Sequence, residues 1–217
     1  MLTFAEEILL LLLDDESGEF VPAPAWSRQC ALAGAALMDL ALLNRIDTDL
    51  RKLVVVDPSP TGDDLLDPIL AAIVEETEIH DARHWVEHIA EEQSGRIQEG
   101  ALTRLVKRGI LESEGGRLLW AFRTRRYPTI DGKAEREVKL RIMHVLFSDE
   151  IPGPRDIVII CLADACRIFN QIMPGKEVER ARERIDLVRR MDLIGQAVST
   201  AVRDIELSLE VTAYSSL

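Results

Sequence analysis

Residues 30–43 read CALAGAALMDLALL, and Asp39 is the one charged residue among them. Apolar residues therefore occupy every direction around a 3.6-residue helix, and no face is left for water. Such a helix is buried in a core or spans a membrane. This run is shorter than the roughly 20 apolar residues that a span requires, and Asp39 interrupts it. The stretch predicts a buried central helix between Trp26 and Ile46, on which other helices pack closely against its small residues.

The composition is that of an ordinary folded protein. Of 217 residues, 47% are hydrophobic and 29% are charged, with a formal net charge of -12. An acidic protein repels nucleic-acid phosphates, so sequence-independent binding to DNA or RNA is disfavoured. The N-terminus is not a signal peptide, because Glu6 and Glu7 precede its short apolar run. Three apolar-flanked cysteines indicate free buried thiols and a cytoplasmic location, and they have no metal-ligand spacing.

Helical patterns fill most of the rest of the chain. Thr3 and Glu6 form a T-x-x-E capping box before an apolar run that ends near Asp14. Apolar residues at helical spacing, capping aspartates and a C′ glycine at Gly109 mark the later helices. These predicted helices cover residues 65–73, 81–89, 95–109, 133–147, 156–172, 176–190 and 191–209.

Two β-hairpins interrupt the helical pattern. The first runs from Arg45 to Asp57 and contains KLVVVD, and the second runs from Ile110 to Phe122 and contains LLWAF. We therefore predict a mainly α protein: a single helical domain, residues 1–217, around a buried central helix with two or more small β-hairpins. A helix followed by a β wing is also the outline of a winged-helix DNA reader, so this shape alone is unspecific.

One segment reverses the acidic balance of the chain. Between Arg96 and Arg126, eight basic residues stand against three acidic ones. We call this segment the basic island; it is either a solvated face with ordinary ion pairs or a surface for anions. Its basic residues are Arg96, Arg104, Lys107, Arg108, Arg117, Arg123, Arg125 and Arg126.

No motif of a common enzyme class is present. The sequence lacks a P-loop, G-x-G-x-x-G, H-E-x-x-H and a nucleophile elbow, so we predict no enzymatic activity and no cofactor. His80, His84 and His88 follow one another at four-residue spacing, and two such histidines are able to chelate a metal. Because no third-ligand motif accompanies them, a solvated stripe is favoured over a metal site.

Several segments in order resemble the Golgi phosphoprotein 3 family. They cover nearly the whole chain and are LTFAEEILLLLLDD, LMDLALLNRI, PTGDDLLD, LVKRGIL followed by a hairpin, RYPTIDG and IVIICLADACRIF. The resemblance implies a single, mostly helical, non-enzymatic domain. It also implies a peripheral membrane adaptor, because eukaryotic members bind phosphatidylinositol 4-phosphate at the Golgi face and retain glycosyltransferases through coatomer. The compact length, without a basic N-terminal tail, is more similar to the prokaryotic members.

The resemblance also implies a headgroup pocket, and the match to it is partial. Trp26 corresponds to the family's pocket Trp with a two-residue gap. The family arginines fall on Ala33, Gly95 and Gln98, with Arg96 one step from the pair. We predict that Arg28 replaces the charge of one of these missing family arginines. The predicted headgroup-binding residues are Trp26, Arg28, Arg96, Arg123, Arg125 and Arg126, and the predicted membrane or oligomer hairpin contains Leu118, Leu119, Trp120 and Phe122.

Three functions follow from these patterns. The first is a peripheral protein on a membrane surface that binds an anionic phospholipid, such as phosphatidylinositol 4-phosphate, and client proteins. The second is a soluble protein–protein scaffold without lipid binding, in which the apolar hairpin forms a homo-oligomer. The third, disfavoured by the net charge, is a winged-helix nucleic-acid binder.

Overall fold

The computed structural model describes residues 1–14, 17–22, 24–48, 51–112, 132–191 and 193–214, with residues 193, 194, 206 and 209–214 described by their backbone alone. Helices dominate this part of the chain, which confirms the mainly α prediction. The helices are α1 (Phe4–Leu12), α2 (Ala25–Leu42), α3 (Asp67–Glu75), α4 (Ala82–Glu92), α5 (Ser94–Lys107), α6 (Lys133–Leu146), α7 (Pro154–Ala165), α8 (Phe169–Ile172), α9 (Gly175–Arg189) and α10 (Leu193–Tyr214).

Helix α2 is the buried central helix that the sequence predicts. Every residue from Cys30 to Leu40 is buried, and α1, α4, α5, α7 and α10 all contact this helix. Small residues permit the close approach: a Cβ atom added at Gly34 would lie 2.7 Å from Leu162 Cδ2 and 2.9 Å from Val198 Cγ1. A larger residue at position 34 would therefore push α7 and α10 away from α2.

Helix α1 begins at the predicted capping box. The Thr3 side chain accepts a hydrogen bond from the Glu6 backbone N–H, and the Glu6 side chain accepts one from the Thr3 N–H. Asp39 of α2 adds a distant cap, since its Oδ2 accepts from the Phe4 N–H at 2.9 Å. Burial raises the pKa of Asp39 to about 7, because the interior disfavours the charged form.

The side chains of Glu6 and Glu7 are buried on α1 and pair with three arginines, two of them on other helices and one just after α5. Arg108, which follows α5, reaches Glu6 at 3.2 Å. Arg141 of α6 and Arg155 of α7 reach Glu7 at 2.7 and 3.3 Å. A carboxylate that is buried away from water requires a charged partner. The ion pairs of Glu6 and Glu7 therefore fix α1 against the helices around it.

The first predicted hairpin is confirmed. Strand β1 (Ile46–Thr48) runs antiparallel to β2 (Leu53–Val55), with Ile46 opposite Val55. Asn44 ends α2 in the left-handed region, at φ 55°, and the Arg45 N–H returns to the Leu40 carbonyl at 2.9 Å. This Schellman motif turns the chain from α2 into the hairpin.

The prediction of one continuous helix over residues 156–172 is wrong. Helix α7 ends at Ala165, and α8 begins anew at Phe169. Arg167 adopts φ 55°, and the Ile168 N–H bonds the Ala163 carbonyl at 2.8 Å. This is again a Schellman motif, but an arginine occupies the position where glycine or asparagine is usual. The residue type therefore gave no indication of the break.

The segment before α3 differs in detail from the prediction. Asp63 does act as a cap, since its Oδ1 accepts from the Leu65 and Leu66 backbone N–H groups at 2.8 and 3.3 Å. The cap closes a short turn, however, and α3 itself begins at Asp67. Arg104 of α5 binds the same aspartate, so the turn is fastened to α5.

Three further predictions concern the cysteines, membrane-spanning helices and the number of domains. All three cysteines are buried, and none of them forms a disulfide, as expected. Among the helices that the structure describes, each is too short or too polar to cross a bilayer. The assignment of residues 1–217 to one domain stays a prediction.

Candidate anion-binding site

The first turn of α2 carries two of the predicted headgroup-binding residues, Trp26 and Arg28. The turn lies beside the segment that follows α1, where Leu13 and Phe20 form an isolated antiparallel bridge. This bridge holds the Phe20 ring under the Arg28 guanidinium, whose central carbon lies 4.6 Å from the ring centroid. The contact is a cation–π interaction.

Arg28 has no ion pair with any carboxylate that the structure describes. Partial burial lowers the pKa of its guanidinium, because removing water disfavours the charged form. A half-buried cation with an aromatic face on one side still has N–H groups to donate. It is therefore suited to an external anion.

Trp26 supplies a second donor in the same turn. Its indole Nε1 is buried and has no hydrogen-bond partner among the described residues. Buried donors are nearly always paired, so the indole N–H has capacity for an acceptor that the described residues do not supply. The helix end adds to this, since Pro24 precedes α2 and provides no side-chain cap. The N-terminal end of a helix favours negative charge.

Arg96, at the start of α5, has a different environment. Its guanidinium donates to the Asp64 and Leu65 carbonyls at 2.8 and 3.2 Å and to Gln93 Oε1 at 2.7 Å. These acceptors are neutral, so they hold the side chain in place without cancelling its charge. The contacts of Arg96 share no residue with those of Arg28.

The other arginines of the basic island in the described residues are neutralised. Arg104 Nη1 and Nη2 bind the two carboxylate oxygens of Asp63 at 2.8 and 2.7 Å, and Arg104 also pairs with Asp64. Hydrogen bonding to Asp63 raises the pKa of Arg104. Arg108 pairs with Glu6. Of the two alternatives for the basic island, these two residues therefore follow the first, a surface with ordinary ion pairs.

The rest of the predicted site lies outside the described residues. This holds for the island arginines Arg123, Arg125 and Arg126 and for the second hairpin with Leu118, Leu119, Trp120 and Phe122. Their roles stay predictions.

The positions that correspond to family arginines have unlike surroundings. Ala33 is fully buried, so a side chain there faces the core and not a surface site. Gly95 is exposed, and a Cβ atom added to it would meet nothing within 4 Å. A longer side chain would thus be accommodated at position 95 but not at position 33.

The three histidines form a stack, in which His84 and His88 belong to α4 and His80 precedes it. The His80 and His84 rings lie 3.7 Å apart and nearly parallel, and His88 stacks on His84 at 6.2 Å. The edge of the row contacts the ring of Trp85. In the described residues no group of histidine, cysteine or acidic side chains is arranged to hold a metal ion.

Comparison with known proteins gives the family. The family model of Golgi phosphoprotein 3 (GPP34) matches residues 4–205, nearly the whole chain. The chain belongs to the Golgi phosphoprotein 3 family. It is also 26% identical to vacuolar protein sorting-associated protein 74 of Eremothecium gossypii over 213 residues, which cover 82% of this chain and 63% of that protein. The chain thus spans about 63% of the length of this curated relative.

In this member of the family, the sequence pattern did not predict that Phe20 contacts Arg28. The only indication was the apolar Phe20-Val21 pair after a turn, and such a pair is common in any loop that returns to a core. The Val21 N–H bonds the Leu12 carbonyl at 2.8 Å, and this contact brings the ring to α2. That pairing joins residues across an unpatterned loop, so residue types alone do not reveal it.

Proposed function

We propose that this protein binds the phosphorylated headgroup of an anionic phospholipid at the first turn of α2 and thereby attaches to a membrane surface. Trp26 and Arg28 donate to the phosphate in this proposal, and Arg96 adds positive charge. Arg123, Arg125, Arg126 and the apolar hairpin of Leu118, Leu119, Trp120 and Phe122 complete the membrane-facing surface. Phosphatidylinositol 4-phosphate is the lipid that the family resemblance suggests.

The observation that carries the proposal is the unpaired state of Arg28. Other half-buried arginines, such as Arg104 and Arg141, have carboxylate partners. Among the described side chains, the guanidinium of Arg28 contacts only the Phe20 ring. A charge removed from water without a counter-ion is unfavourable, and a phosphate at this turn would offset that penalty.

Family membership supports the same conclusion. The relative from Eremothecium gossypii is named for vacuolar protein sorting, a process at membranes. We propose by analogy that this chain acts as a non-enzymatic adaptor that brings client proteins to a membrane from the cytoplasm. Oligomer formation through the hairpin belongs to the same proposal.

Vesicle flotation tests the lipid site. Phosphatidylcholine vesicles with and without phosphatidylinositol 4-phosphate are compared at low salt, with the wild type and Arg28→Gln. Arg180→Gln is a matched control, because Arg180 also lies over a phenylalanine, Phe147, with 5.8 Å to the centroid. We expect lipid-dependent flotation that Arg28→Gln weakens about tenfold and Arg180→Gln leaves unchanged, in line with one charge-assisted hydrogen bond. Equal flotation on both vesicles would reject the headgroup proposal.

A second candidate, the soluble scaffold, has an observation of its own. An apolar groove of about 230 Å³ lies between the end of α2 and the start of α7, lined by Met38, Leu42, Ile157 and Met191 among others. Leu42 and the adjacent Leu43 are exposed at 46% and 49%. Exposed apolar surface of this kind favours protein contact. Light scattering of the wild type and Leu43→Asp tests it, and a monomer in both would reject self-association here.

A further inference from the structure

We infer that a second anion site, for a soluble phosphomonoester, lies between α7, α9 and α10 and is formed by Arg182 and Arg203. This inference does not rest on the proposed lipid site at α2, with which it has no residue in common. It adds a small-molecule ligand to a family domain whose other predicted contacts are with lipid and protein.

The site is centred on Asp164, near the end of α7. The Asp164 side chain is only 6% exposed. Arg203 Nη2 donates to its Oδ2 at 2.6 Å, and Arg182 Nη1 donates to its Oδ1 at 2.9 Å. Arg189 Nη1 lies 3.4 Å from Oδ2. Three arginines from two helices therefore converge on one carboxylate.

The charges at this point do not cancel. Among the described residues, Arg182 and Arg203 have Asp164 as their one carboxylate partner, while Arg189 has a second, Asp186, at 3.4 Å. Three guanidiniums and two carboxylates leave a net charge of +1 on a protein whose total is -12. A positive concavity on an acidic protein concentrates anions locally.

Donors remain available on the exposed side of the cluster. Arg182 and Arg203 each bind Asp164 through one terminal nitrogen, and their side chains are 44% and 40% exposed. A guanidinium carries five N–H groups, so each has several left to donate. Because Asp164 holds the two side chains from behind, their positions are fixed before a ligand arrives.

The space next to these arginines has the size of a small-molecule site. A cavity of about 340 Å³ is lined by Asp164, Arg182 and Arg203 together with Phe169, Val178 and Asn170. Ligand sites in proteins span roughly 300–1,000 Å³ and combine apolar walls with a few polar groups. The cavity therefore suits a phosphate with a small organic substituent.

The chemistry selects a phosphate over a simple carboxylate. A phosphomonoester carries close to two negative charges and three acceptor oxygens. Its oxygens can accept from two guanidiniums on different helices at the same time. A carboxylate offers two acceptor oxygens instead of three, so it would leave more of the free guanidinium N–H groups without a partner.

Titration calorimetry with inorganic phosphate and with glycerol 3-phosphate tests the site. We expect saturable binding to the wild type, tighter for glycerol 3-phosphate, and about tenfold weaker binding to Arg182→Gln and to Arg203→Gln, since each variant loses a charge-assisted donor. Arg180→Gln, on the same helix, is the control and should bind as the wild type does. Absence of saturable binding, or equal weakening in Arg180→Gln, would overturn the inference.

Asp164→Asn separates a ligand site from a purely structural ion-pair network. The asparagine keeps one acceptor oxygen that can hold an arginine in place, but the competing negative charge is gone, so phosphate binding should become several-fold stronger. Weaker binding in a folded Asp164→Asn protein would overturn the inference. Should this variant not fold, the Arg182→Gln/Arg203→Gln double variant decides, since retained binding there would equally refute the site.

Two further arms identify the source of the phosphate and keep the proposals apart. Arg28→Gln should bind glycerol 3-phosphate as the wild type does, whatever its vesicle binding. Arg182→Gln should float with phosphatidylinositol 4-phosphate vesicles unchanged. Loss of vesicle binding in Arg182→Gln would mean that this surface meets a lipid headgroup, and would overturn the assignment to a soluble ligand.

Discussion

The surroundings of α1 and the first turn of α2 use arginine in opposite ways. Around α1, the buried carboxylates of Glu6 and Glu7 each bind guanidiniums from neighbouring helices. At the first turn of α2, Arg28 contacts an aromatic ring and no described carboxylate. The first set of charges fixes the fold, whereas the second is available to a ligand. A count of arginines along the sequence does not distinguish the two.

The largest expected effect comes from breaking a pair at α1. Glu7→Gln removes a carboxylate that Arg141 and Arg155 share, while Arg141 keeps its ion pair with Asp156. Loss of one partner of a buried pair lowers the free energy of unfolding by about 3–5 kcal/mol, and the lower end applies here because both arginines are partly exposed. Urea unfolding measures the change. Glu137→Gln, on the exposed face of α6, is the control; equal stability of the two variants would contradict the structural role of the pair.

Asp39 provides the second prediction, since it is the buried carboxylate at the centre of the same region. In the folded protein the pKa of the Asp39 carboxyl is about 7, whereas in the unfolded chain it is near 3.8. The folded state thus binds more protons between these values, and its unfolding free energy falls as pH rises through that window, by at most about 4 kcal/mol.

The Asp39→Asn variant tests this pH dependence. Its amide oxygen can still accept from the Phe4 N–H, so the cap is retained. We expect the variant to match the wild type near pH 4 and to be the more stable protein at pH 8. Parallel pH curves for the two proteins, measured by chemical unfolding, would show that Asp39 ionises normally.

A smaller loss is expected at Arg104. Its bidentate pair with Asp63 is partly exposed, with side-chain exposures of 21% and 23%. Water and salt screen such pairs, so Arg104→Gln should lower the unfolding free energy by only about 1 kcal/mol, and less at high salt. A salt-independent loss of several kcal/mol would place this pair with the buried ones at α1.

The smallest effect on stability is expected at Arg28. The described contact of its guanidinium, with the Phe20 ring, is worth about 0.5–1 kcal/mol, so Arg28→Gln should melt close to the wild type. The same variant should lose vesicle binding. If Arg28→Gln were strongly destabilised and still bound vesicles normally, Arg28 would be a residue that stabilises the fold and not one that binds a ligand.

The sequence predicted the fold better than the site. Cys30–Leu40 has no polar face except Asp39, and the Thr3–Glu6 box is local, so burial and capping follow from residue types. The break at Arg167 was missed because a left-handed arginine has no signature. The ion-pair partners of Arg104 and Arg108 were not predicted, because Asp63 lies 41 residues from Arg104 and Glu6 lies 102 residues from Arg108. Partners at such separations are set by packing, which local patterns do not encode.

The hydrogen bond from Phe4 to Asp39 joins groups that are 35 residues apart. During synthesis, the backbone amide at the start of α1 is therefore made long before its acceptor exists. We expect α1 to reach its final position only after the middle of α2 has been added and has docked. At this contact, α1 depends for its completion on α2, which the ribosome makes later.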